Sequence, residues 1–96
     1  MTTAIDETLD RLMQVAARAA DYATEAHEAW IAAETLATIA ANDAWERFDD
    51  PAVAETAEVT RRVADLAWSV AEDASLSRER AVATYLEASK KGDKAT

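Results

Sequence analysis

No cysteine occurs in the 96 residues, so disulfide scaffolds and thiolate metal sites are excluded and the redox compartment is left open. A single glycine and a single proline leave almost no turn chemistry. Sheets reverse direction often and need such residues at each reversal, so an all-α chain with very few breaks is expected. No apolar run approaches the roughly 20 residues of a membrane span. Met1-Thr2-Thr3 lacks the basic start and apolar stretch of a signal peptide, and the expectation is a cytoplasmic, non-membrane protein. Basic residues are scarce in one region above all, with no Lys or Arg between Arg18 and Arg47. The formal charge is −9, and affinity for a phosphate backbone comes from Lys and Arg clusters, so direct nucleic-acid binding is not expected.

What the chain does have is alanine. Half of its residues are apolar and only six are aromatic, most of the apolar ones being Ala. A chain of this length buries a modest core at best, and an alanine adds only one methyl group at roughly 25 cal/mol per Å². Such a thin core points to partners.

Residues 4 to 48 read as one helix. Steps of four and three from Ile5 give Leu9, Leu12, Ala16, Ala19, Ala23, Ala26, Trp30, Ala33, Ala37, Ala40 and Ala44, a heptad seam with no polar interruption. The position farthest from the seam is polar throughout: Glu7, Gln14, Asp21, Glu28, Thr35, Asn42 and Asp49. Thr3 is placed to cap the start, and Asp6 suits the positive end of the helix.

The turn is expected at Asp49-Asp50-Pro51, with Asp50 as the cap and Pro51 at the first helical position, where its missing N–H is not needed. The second helix is expected from Pro51 to about Lys91, ending on Gly92 as a left-handed stop, with residues 92–96 frayed. Its large apolar residues Val59, Val63, Leu66 and Val70 share one face, which Ala74, Ala81 and Tyr85 extend, and this face is expected to meet the first helix. Ser75-Leu76-Ser77 is the one place where the chain could recap and break.

At ~1.5 Å per residue each helix is on the order of 60 Å long. The first helix also carries Val15, Tyr22, Ile31, Leu36, Ile39, Trp45 and Phe48 off its seam. That is more than one partner helix can cover, so a single-domain antiparallel hairpin dimerising into a four-helix bundle is the expected architecture.

Few residues suggest chemistry. His27 is the only histidine, and Thr24 stands where a di-iron bundle needs Glu three residues before it. A solvated flank of the seam is the expectation for His27. Glu25-x-x-Glu28 followed by Glu46-x-x-Asp49 resembles, over about 25 residues, the acid spacing of MazG-type all-α nucleotide pyrophosphohydrolases. The resemblance implies a Mg²⁺ site facing substrate phosphates. In that family the two acid pairs face one cavity from different helices, whereas these four would lie on one helix and point outward, and Mg²⁺ needs converging oxygens. Trp45-Glu46-Arg47 beside the bend and Tyr85 near the C-terminus resemble the tryptophan-x-glycine helical hairpins exported by type VII secretion, which would imply export. Arg47 stands where that family has Gly, and Ser89 where its Tyr-x-x-x-Asp/Glu signal has its acid.

No nucleophile–base pair or glycine-rich loop accompanies these residues, so no catalytic, metal or cofactor site is expected and the chain is read as non-enzymatic. Two features suggest binding. Trp68 lies on the side of the second helix away from Leu66 and Val70, among Ala64, Asp65, Ala71 and Glu72, where a large aromatic over small residues resembles an interface anchor. Charge is also uneven: residues 1–50 hold 11 acids and 3 bases, residues 51–96 hold 8 and 7. Asp21, Glu25, Glu28, Glu34, Asp43 and Glu46 form an acidic stripe on the first helix. The expected function is an acidic helical interaction module, an inhibitor or adaptor that docks a basic protein, with imitation of nucleic acid as its sharper form.

Overall fold

The computed structural model describes the backbone of residues 4–95 and the side chains of residues 4–91. It is all-α, an antiparallel hairpin of α1 (Ala4–Glu46) and α2 (Pro51–Ala95), with no strand among the described residues. The cap expected at Thr3 lies outside the described residues. Asp6 and Glu7 occupy the first turn of α1, where negative charge offsets the free N–H groups.

The bend forms as its residues dictate. The Arg47 N–H donates to the Asp43 carbonyl at 2.9 Å, and the Asp50 N–H closes a tight turn on the Arg47 carbonyl at 3.0 Å. Asp50 then caps α2, its Oδ1 accepting from the Ala52 N–H at 3.0 Å, with Pro51 at the first helical position.

α2 is continuous, as expected, and its end is corrected. The helix passes through Ser75, Leu76 and Ser77 without a break, because Ser is close to neutral inside a helix once the flanking turns are helical. It also passes through Gly92 to Ala95, and no described glycine has positive φ. Glycine permits a left-handed stop without imposing one, and its helical cost of about 1 kcal/mol is spread over a helix of several turns.

The seam of α1 is as expected: every position from Leu9 to Ala44 in the four-three sequence is buried or half-buried, with Ile5 exposed at the end. The seam of α2 is not. Val59, Val63, Leu66 and Val70 are all exposed, and the buried row is Val53, Ala57, Thr60, Ala64, Ala67, Ala71 and Ala74, continued by Ala81, Tyr85 and Ala88. Alanine packs on alanine. Small side chains let two helix axes approach to the close end of the usual 8–10 Å range, where backbone and Cβ atoms all find dispersion partners. A row of Val and Leu would have held the helices apart.

The chain separates into two compact units, Glu25–Glu72 around the bend and Met1–Thr24 with Asp73–Thr96 at the helix ends. In the bend unit the buried residues are Ala26, Ala37, Ala64 and Ala71. In the end unit they are Ala23 and Ala74, while Leu9, Leu12 and Tyr85 are half-buried. Among the described residues no side chain larger than alanine is buried in either unit.

Candidate functional site

The bend unit has two unlike flanks, and the heptad positions explain both. On one flank stand the residues that directly follow the seam positions Ala26, Ala33, Thr60 and Ala67: His27, Glu34, Arg61 and Trp68. Two of them, Glu34 and Arg61, meet across the helices. Both terminal nitrogens of the Arg61 guanidinium donate to the Glu34 carboxylate, one at 3.1 Å. The Arg61 Nε also lies 3.3 Å from Asp65 one turn on. The hydrogen bonds from Arg61 hold the Glu34 carboxyl below its ordinary value, against an opposing effect of desolvation. The same pair raises the Arg61 guanidinium above its ordinary value.

Further along this flank Trp30 and Trp68 face each other, with ring centroids 4.6 Å apart and planes at 54°. His27 completes the row at 5.4 Å from Trp30. Trp68 therefore has an aromatic partner within its own hairpin. It remains 44% exposed, so one face of its ring is still open to solvent. Trp30 was not foreseen as its neighbour.

The opposite flank carries no ion pair between the two helices among the described residues. Leu36 and Ile39 share an open groove of about 560 Å³ with Thr56 and Thr60, and Asp43 and Glu46 line its end. Val63 and Val70 follow Thr56 at seven-residue steps, while Val59 and Leu66 form a parallel row one position farther out. All six of these large apolar residues are 47–68% exposed.

The acids of the sequence reading do not act as one set. Glu34 is engaged by Arg61 and is half-buried. Asp43 pairs with Arg47 one turn on, at 3.4 Å. Glu25, Glu28 and Glu46 in the bend unit and Asp21 in the end unit are exposed, with no cation in ion-pair reach among the described residues. Among the described residues no three of His, Asp and Glu are gathered as a metal ion would require, so the two acid pairs at 25–28 and 46–49 do not converge. Nor is any described helix long and apolar enough to cross a membrane.

No family model, curated protein or solved structure matches this chain. The side-chain arrangement alone has to indicate a function. It offers three surfaces: an ion-paired and aromatic flank, a free acidic back on α1, and a bare apolar flank.

The Glu34–Arg61 bridge and the Trp30–Trp68 pair were beyond sequence reasoning, because they depend on which residues of α2 stand opposite which of α1. One signal was available. Ala57, Ala64 and Ala71 with Ala67, Ala74 and Ala81 repeat at the same four-three spacing as the alanines of α1, and a match between two alanine rows could have been preferred to the row of larger residues.

Proposed function

We propose that this protein is a non-enzymatic, acidic helical interaction module of the cytoplasm that works as a homodimer and docks a basic protein partner. The observation that carries the docking reading is the division among the acids of α1. Glu34 and Asp43 are engaged by arginines of the same chain, while Glu25, Glu28 and Glu46 are exposed and without a cation. Like charges at helical spacing cost a few tenths of a kcal/mol each. Nothing in the alanine seam requires these acids, since lysine at half of the positions would solubilise the chain equally well and add favourable pairs.

A basic surface turns that repulsion into attraction. Association would be fast and would weaken as salt rises, because exposed charges are screened beyond about 8 Å at physiological ionic strength. A surface shaped to receive nucleic acid is one basic surface of this kind, which makes the module an inhibitor by imitation.

The test reverses Glu25, Glu28 and Glu46 to Lys together and leaves Glu34 in its bridge. Circular dichroism checks that the helices remain, and partner capture from lysate of the source cell is measured at low and high salt. Capture should fall with the reversal and with salt. Capture that survives both would mean that the acids only solvate the helix.

A further inference from the structure

We propose that the homodimer forms through the apolar flank of the bend unit, with Val59, Val63, Leu66 and Val70 of one copy seated on Ala29, Ala32, Leu36 and Ile39 of a second. This inference rests on the dimeric reading above and names its face.

The first support is area. The chain exposes 7359 Å², whereas a folded monomer of 10.4 kDa is expected to expose about 5,400 Å², an excess of about 2,000 Å². A standard interface covers roughly 800 Å² of each partner, and permanent homodimers cover more. The surface left open is therefore of the size that a second copy removes.

The second is charge. The chain carries 19 acids, yet the middle of this flank, Ala29, Ala32, Leu36 and Ile39 on α1 with Val59, Val63, Leu66 and Val70 on α2, includes none; the acids stand at its ends, Glu25 at one and Asp43 and Glu46, which line the groove beside Leu36 and Ile39, at the other. Two chains of charge −9 repel through most surfaces, and the middle of this flank lets them meet with carboxylates confined to its ends.

The third is shape. Positions 59, 63, 66 and 70 form a ridge of branched side chains on α2, while Ala29 and Ala32 form a low shelf on α1. A two-fold axis presents each copy's ridge to the other's shelf, and such self-complementarity is what an isologous contact requires. Apolar residues at the seam positions plus one flanking position are also the pattern of a helix facing a four-helix core.

The purified full-length protein tests this directly. Light scattering coupled to size exclusion should give twice the chain mass at micromolar concentration, and Val63→Glu with Leu66→Glu should halve it while helical ellipticity persists. Ile31→Glu, an exposed position on another side of α1, should leave the dimer intact. A wild-type mass near 10.4 kDa would overturn both the dimer and its face; a dimer that survives the double substitution would overturn the face alone.

Should the glutamates unfold the chain, the absence of native cysteine allows a milder readout. Leu66→Cys and Ile31→Cys are labelled separately with a water-soluble maleimide over a range of protein concentration. Labelling should slow at high concentration for Leu66→Cys and stay constant for Ile31→Cys. Equal behaviour of the two would reject the face. None of these measurements involves the basic partner, so they stand or fall independently of the acidic surface.

Discussion

Trp30 and Trp68 meet within the bend unit at 4.6 Å between ring centroids, an aromatic contact beside a seam made mostly of alanine. Trp30 is half-buried on the seam of α1, and Trp68 covers it from the flank of α2. Tilted aromatic pairs at this distance are worth roughly 0.5–1.5 kcal/mol beyond their burial.

Trp68→Ala should therefore cost about 2 kcal/mol, well short of the 3–5 kcal/mol typical of a fully buried Trp, because part of the ring remains in water. The urea midpoint should fall and the Trp30 emission should shift to the red. A midpoint unchanged from wild type would mean that the two rings do not hold each other in solution.

The alanine seam predicts intolerance to larger side chains. Ala64 has no exposed surface, so Ala64→Leu should cost about 1–3 kcal/mol by forcing α1 and α2 apart. Ala54→Leu, at an exposed position of the same helix, should change stability by no more than about 0.5 kcal/mol. Thermal melts of the two variants side by side decide the matter, and similar losses would show that the seam is misplaced.

At the bend, Asp50 accepts from the Ala52 N–H. Asp50→Ala should lower stability by about 1 kcal/mol, and Asp50→Ser should recover most of it, because Ser caps nearly as well. If Asp50→Ala melted like wild type, the chain would be held at its turn by the Arg47–Asp50 backbone bond rather than by the cap.

The Glu34–Arg61 bridge predicts a pH dependence with a definite sign. The folded carboxyl is held below its ordinary value by the hydrogen bonds from Arg61, so the contribution is complete above the unfolded carboxylate range and is lost as pH falls through the folded value. The difference in melting temperature between wild type and Glu34→Gln should be largest near neutrality and should shrink below about pH 4. It should also be small and sensitive to salt, since both groups are partly exposed. A difference that grew on acidification would contradict the bridge.

Much of the fold was legible because it rests on local rules. The seam from Leu9 to Ala44 follows from heptad spacing, the polar back from Glu7 to Asn42 follows from the same register, and the bend follows from Asp50 before Pro51. The surplus of Leu36, Ile39 and Trp45 outside the seam was equally visible, and all three are exposed. The end of α2 was misread, since a glycine in a helical segment is ambiguous on local grounds.

The sequence by itself determined the two helices, their junction, and an acidic back on α1, because each depends on neighbours three or four residues apart. Only the tertiary structure decided which row of α2 faces α1. Both Val59-Val63-Leu66-Val70 and Ala57-Ala64-Ala71 have helical periodicity, and periodicity cannot rank them. Close approach of two helices can, since small side chains on both sides bring whole backbones into contact. That choice places Glu34 beside Arg61 and Trp30 beside Trp68, and it leaves the larger row of α2 uncovered.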